Sequence, residues 1–173
     1  MEIHANITCL HQLLNEDLSR LLSAEASLKA SLADWISEDF APLLKVVLHR
    51  YRDLVEKHLV AINTFCQEEQ IMSVANSNRV MVALIVDVDE KIINCTCPPV
   101  KDACLLAGIQ TINHYKICAY GNAAAFAEAA GLEKAADIFH QVEQDEKMID
   151  EELSHLAGRE INPKALAPIL LTN

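Results

Sequence analysis

Apolar residues recur at helical spacing along most of this chain. In LEKAADIFHQVEQDEKMIDEELSHLAG, Leu132, Ala135, Phe139, Val142, Glu146, Ile149, Leu153 and Leu156 follow one another at steps of three and four. That is the seam of an amphipathic helix, and one member is a carboxylate. The stretch before it, from Asp102, carries a similar seam of Ala103, Leu106, Gln110, Asn113, Ile117, Tyr120, Ala124 and Ala127. Packing alone asks only for apolar groups at these positions. Polar groups buried in a bundle need partners, so these two helices, hinged at Gly131, are where chemistry is to be sought.

Earlier in the chain, Ile7, Leu14, Leu21, Leu28 and Trp35 repeat every seven residues, with Leu18, Glu25 and Leu32 on the adjoining line. This predicts a first helix over 7–33, with Asn6 as its N-cap. Glu25 lies inside the stripe; as a lone carboxylate it reads most simply as sitting at the stripe's edge. A second helix over 40–69 shows Leu44, Val47, Leu48, Tyr51, Leu54, Val55, His58, Leu59, Ile62 and Phe65, and starts near Pro42. The short link between these helices predicts antiparallel packing. His58 lies in the seam, where a hydrogen-bonded core histidine is the ordinary reading.

The run from Val80 to Val88 is β-branched and favours a strand by propensity. A single strand would have no pairing partner, so a third helix over 79–94 is expected instead. The fourth helix is expected over 99–130 and the fifth over 132–157, with Gly131 as a left-handed C-cap between them. Residues 1–157 read as one all-α domain and 158–173 as a tail lying across the bundle or a neighbouring subunit.

The length suits one domain with a real core. A net charge of -11 argues against binding a phosphate backbone, so no nucleic-acid partner is expected. The start, MEIHANITCLHQ, lacks the basic and apolar regions of a secretory signal, and the apolar run from Val80 to Val86 is too short for a bilayer. A cytoplasmic protein without membrane contact is therefore expected, its six cysteines reduced. Cys95-Thr-Cys97 is a candidate metal or redox pair, but falls short of a structural zinc pattern. No phosphate-cradling glycine loop, G-x-S-x-G elbow or H-E-x-x-H motif is present.

Asp102-Ala103, Leu105, Ala107, Gln110, His114-Tyr115, Ile117 and Ala119-Tyr120-Gly121 form one recognisable pattern. Ala127-Glu128, Gly131-Leu132, Ala135-Ala136, Glu146-Lys147, Asp150, Leu153 and Leu156-Ala157 continue it, and Ser23-Ala24-Glu25 adds a first-helix motif. The pattern resembles the ferritin-like family of the YciE/YciF type, stress-associated bacterial proteins. The resemblance implies a ferritin-like four-helix bundle, helices one and two pairing with four and five, and helix three in the crossover. It also implies a homodimer, and a site for two metal ions among inward carboxylates and histidines.

Against that family, the ligand set looks broken. Glu residues that flank the His-Tyr pair in the family are Asn113 and Lys116 here. Its helix-two His and Glu become Tyr51 and Leu54, and a Glu pair on helix three becomes Val86-Asp87. The expectation is that Lys116 replaces metal, closing a buried polar cluster with Glu25, Tyr51, Asn113 and Glu146. The competing reading has Lys116 reaching out to water.

The function expected is structural or interaction-based, without catalytic residues or cofactor. Two alternatives stand beside it. One is an active di-iron or di-manganese protein with oxidase or peroxide-reducing activity, using Glu25, Asp53, Glu56, Glu146 and Asp150. The other is a small-molecule binder with a pocket near Tyr51, His58, Asn113, His114 and Tyr115.

Overall fold

The computed structural model describes residues 7–71 and 77–166. Among these residues five α-helices carry the fold: α1 (Leu10–Ser37), α2 (Pro42–Glu68), α3 (Arg79–Ile93), α4 (Pro98–Ala129) and α5 (Glu133–Leu156). A π turn over Ala157–Ile161 and a 3-10 turn over Asn162–Ala165 follow. Asn6 and the closing Ile169-Leu170-Leu171 lie outside the described residues, as does part of the α2–α3 connection.

α1 runs four residues past its expected end because the apolar stripe does. Trp35 and Ile36 are buried, and Trp35 Nε1 donates to Asp89 Oδ1 on α3 at 2.8 Å. Pro42 opens α2 at a position where its missing N–H costs nothing, and Ala41 N donates to Asp102 Oδ1 at 2.8 Å. The run from Val80 to Val88 is helical. The apolar residues of α3 divide between Met81, Ile85, Val88 and Ile92, buried against the bundle, and Val80, Val82 and Val86, which are exposed. Asn78 caps this helix, accepting from Met81 N at 2.9 Å while donating to Arg20 O at 3.1 Å. Gly131, at φ 72°, ends α4 as expected.

Around the bundle the order is α1, α2, α5, α4, each helix antiparallel to its neighbours, and α3 lies over the α1–α4 side. α2 and α4 are therefore parallel, and α3 carries the chain back to where α4 can begin. This is the ferritin-like arrangement with a crossover helix. Among the described residues, no helix is long and apolar enough to cross a membrane.

The apolar interior falls into two clusters. One joins Leu28, Leu32, Trp35, Leu44, Leu48, Leu105, Ile109, Ile112 and Leu153; the other joins Leu14, Leu18, Leu21, Ile62, Ala123, Ala127, Phe139 and Val142. Between them, at mid-height, lies a layer of polar side chains.

Candidate functional site

Four helices supply that layer. Glu25 comes from α1, Tyr51 and His58 from α2, Asn113, Lys116 and Tyr120 from α4, and Glu146 from α5. Each sits where its helix's inward face demands a buried side chain: Leu21, Glu25 and Leu28 on α1, Val142, Glu146 and Ile149 on α5. Relative exposure is 0 % for Glu25, Asn113 and Glu146, and 1 % for Lys116. Glu25 is thus fully interior rather than at the stripe's edge, and Lys116 does not reach water.

Lys116 Nζ donates to Glu25 Oε2 at 2.9 Å and to Glu146 Oε1 at 2.5 Å. Tyr120 Oη donates to Glu25 Oε1 at 2.6 Å, and Tyr51 Oη to Glu146 Oε2 at 2.6 Å. Asn113 Nδ2 donates to Glu146 Oε2 at 2.7 Å and to its backbone carbonyl at 3.0 Å. All four carboxylate oxygens therefore accept from protein donors. The ammonium also lies 5.1 Å from the centroid of the Tyr51 ring. Among the described residues, two buried side-chain atoms have no hydrogen-bond partner, His58 Nδ1 and Asn113 Oδ1. His58 Nε2 lies 3.2 Å from Asp145 Oδ2, while Nδ1 faces Glu146 Oε1 at 3.5 Å and Glu25 Oε1 at 4.0 Å.

The charges hold one another in place. Burial alone would lower the Lys116 ammonium, but Glu146 and Glu25 outweigh it and leave it above its ordinary value. Burial and the nearby Glu25 keep the Glu146 carboxyl above the usual carboxylate range, despite Lys116. Burial, reinforced by the acceptor carboxylates, pushes the Tyr51 and Tyr120 phenols well up, so both remain donors.

The chemistry of this donor set does not fit a pair of metal ions. Glu25, His58 and Glu146 do bring one ligand atom each within 4.8 Å of one another. The space they face holds the Lys116 ammonium, and each carboxylate oxygen already has a donor. Two divalent cations would need further anionic oxygens to offset desolvation and mutual repulsion.

The acidic residues of the di-metal alternative are not among them. Asp53 is exposed beside Arg52 at 3.6 Å, and exposed Glu56 pairs with Lys29. Both are turned away because Tyr51, Val55 and His58 claim the inward face of α2. Asp150 is half-buried and lies 3.0 Å from the exposed imidazole of His114. Of the pocket residues, Tyr51, His58 and Asn113 meet around Glu146, while His114 and Tyr115 lie apart from them. His114 looks outward, Tyr115 turns to Asn78, whose Nδ2 donates to its hydroxyl at 2.8 Å, and His58 faces the interior. Tyr120 was missed as a member of the cluster. Its signal was its spacing, since 113, 116 and 120 share a face, while Ile117, placed in the seam from the sequence, is only half-buried.

Comparison with known proteins agrees with this architecture. The family described as a domain of unknown function (DUF892) matches residues 9–166. Protein YciF of Escherichia coli (strain K12) is 30% identical over 149 residues, covering 86% of this chain and 90% of YciF. The crystal structure of the E. coli stress protein YciF superposes with a TM-score of 0.84 at 27% identity, covering 90% of this chain and 99% of that one. YcfI from Rhodopseudomonas palustris, at 21% identity, shares the fold with a TM-score of 0.83 over 88% of this chain and 98% of its own. Matched over nearly its whole described length, this chain belongs to the DUF892 family, as a member of the YciF type.

Proposed function

We propose that this protein is a structural or interaction protein of the YciF type, its metal chemistry replaced by an internal ion cluster. The observation that carries the reading is the position of Lys116 Nζ between Glu25 and Glu146, with every oxygen of both carboxylates accepting from a protein donor. An ammonium there supplies one fixed positive charge and repels an incoming cation. It carries no redox chemistry and offers no open coordination position. The layer is interior as well: His58, Asn113, Lys116 and Glu146 are all buried.

In this reading the chain works as a homodimer in the cytoplasm, in the setting of the stress response that its E. coli relative's description names. The exposed Val82, Val86 and Ile93 of α3 support a dimer, as apolar surface available for a second copy.

The test is metal content. Purified protein is incubated with ferrous iron, and separately with manganous ion, then desalted and analysed for metal. Retention well below one ion per chain is the expected result. About two ions per chain would establish the di-metal alternative in its place.

A further inference from the structure

The C-terminal ends of α1 and α3 and the first turn of α4 line a cavity that the proposed function does not use. It measures about 330 Å³, near the lower end of the range for small-molecule sites, roughly 300–1,000 Å³. α1 contributes Ser31, Asp34, Trp35 and Glu38, which helical spacing sets on one face. By the same spacing α3 presents Asp89, Ile92 and Ile93, and Lys101 of α4 completes the lining. Asp34 stands roughly two and a half turns along α1 from Glu25, so the cavity is separate from the polar layer.

The lining is apolar at its base and acidic around it. Trp35 and Ile92 are buried, Asp89 is half-buried, and Asp34, Glu38 and Ile93 are exposed at the rim. Glu38 is already matched: Lys101 Nζ donates to its Oε2 at 2.7 Å and lies 4.8 Å from the centroid of the Phe40 ring. Asp89 Oδ1 accepts from Trp35 Nε1 at 2.8 Å, a neutral donor that leaves the carboxylate's charge uncompensated. Among the described residues Asp34 is in no ion pair, and α1 has no basic residue in its last turn. Lys91, the basic residue in the last turn of α3, is held by Asp87 at 2.6 Å. Three carboxylates against one ammonium leave the cavity two negative charges in excess.

We propose that this cavity binds a small aliphatic amine in its ammonium form, the charged head between Asp34 and Asp89 and the carbon chain over Trp35 and Ile92. The excess negative charge disfavours an anion. A bare metal ion fits no better. Among the described residues the trio whose ligand atoms come within 4.8 Å of one another is Glu25, His58 and Glu146, so Asp34, Glu38 and Asp89 do not converge on one ion. An alkylammonium asks less of its site. Its three N–H donors can be met by two carboxylates and the half-buried Ser31 hydroxyl, without a closed coordination shell. Its methylene groups gain by leaving water for the apolar base, a term that a metal ion lacks.

Trp35 is the only tryptophan in the chain, so tryptophan emission reports on this cavity. Full-length protein is titrated with putrescine, with butanediol as its uncharged counterpart, and with sodium chloride at matched ionic strength. The expected result is a saturable change in Trp35 emission with putrescine alone, accompanied by a rise in melting temperature. Asp34→Asn removes an exposed charge and should weaken binding about tenfold, the loss of one charge-assisted contact. Asp53→Asn, an equally exposed change on the outer face of α2, should leave binding as it is. The proposal is overturned if neither emission nor melting temperature responds to putrescine, or if butanediol or salt produces the same response. It is overturned as well if Asp34→Asn binds putrescine no more weakly than Asp53→Asn, since the amine would then be reading the general acidity of the surface.

Discussion

Lys116 on α4 and Glu25 on α1 are 91 positions apart in the sequence, and their charged atoms meet at 2.9 Å in the fully buried interior. The same ammonium reaches Glu146 on α5, so one side chain bridges three helices at the level where the two apolar clusters divide. Lys116→Ala would leave Glu25 and Glu146 buried without their counter-ion. Removing one partner of a buried pair costs about 3–5 kcal/mol. For a domain of this size the melting temperature should fall by roughly 6–20 °C, since each kcal/mol shifts it by about 2–4 °C. A variant that melts within a degree of the parent would show that the ion cluster contributes nothing.

The same layer predicts how stability responds to alkali. Lys116 is raised above 10.5 in the folded state, and Tyr51 and Tyr120 are raised well above 10.0. Each group holds its proton more tightly folded than unfolded. Its contribution is therefore complete below the unfolded value and is lost as pH rises toward the folded one. Urea midpoints should be level in this respect up to about pH 9.5 and fall steeply above pH 10. Tyr120→Phe removes one of the three titrations and should flatten that fall, whatever it does to stability at neutral pH. An equally steep decline in the variant would exclude Tyr120 from the alkaline transition.

If Lys116 excludes cations by its charge, removing that charge should admit one. Glu25, His58 and Glu146 already stand within 4.8 Å of one another, with His58 Nδ1 unpartnered and turned toward both carboxylates. Lys116→Ala is expected to bind about one divalent ion per chain, two carboxylates and one imidazole making a workable first set of ligands. Since a ligand that binds only the folded state stabilises it, manganese or zinc should raise the melting temperature of Lys116→Ala and leave that of the parent unchanged. Equal shifts in both proteins would point to metal binding elsewhere on this acidic surface.

The limits of the sequence can be traced residue by residue. Glu146 was legible because the α5 seam is long and regular, and a carboxylate in such a seam has only one direction to point. α3 was legible as a helix despite its β-branched run, because a lone strand would leave its backbone unpaired. Glu25 was harder: periodicity places a residue on a face but says nothing about how deep that face is buried. The pairing of Glu25 with Tyr120, across 95 positions, depends on which helices are neighbours and at what height, and only the packed bundle fixes both. Asp53 and Glu56 fall on the outer face because α2 is amphipathic and Tyr51, Val55 and His58 occupy its inner one.

The close approach of α3 to α4 at Gly108 gives a final prediction, in which two effects of opposite sign compete. Gly108 lies mid-helix in α4, where alanine is intrinsically favoured by about 0.5–1 kcal/mol. A methyl group at that position would stand 2.3 Å from Val88 Cγ2 and 3.1 Å from Cγ1. Those are the atoms of a stiff, buried, β-branched side chain with no flexible end to move aside. Forcing extra volume into a packed contact costs about 1–3 kcal/mol, so overpacking wins and Gly108→Ala should be destabilising by roughly 1 kcal/mol net. Val88→Ala alone leaves a cavity and should also destabilise. Combined, the two changes restore the contact by exchanging which helix carries the methyl. The double variant should then be more stable than the sum of the single effects predicts, by about 1 kcal/mol or more in a urea-denaturation cycle. Strict additivity would mean that α3 can shift away from α4, and that Val88 and Gly108 do not set the distance between them.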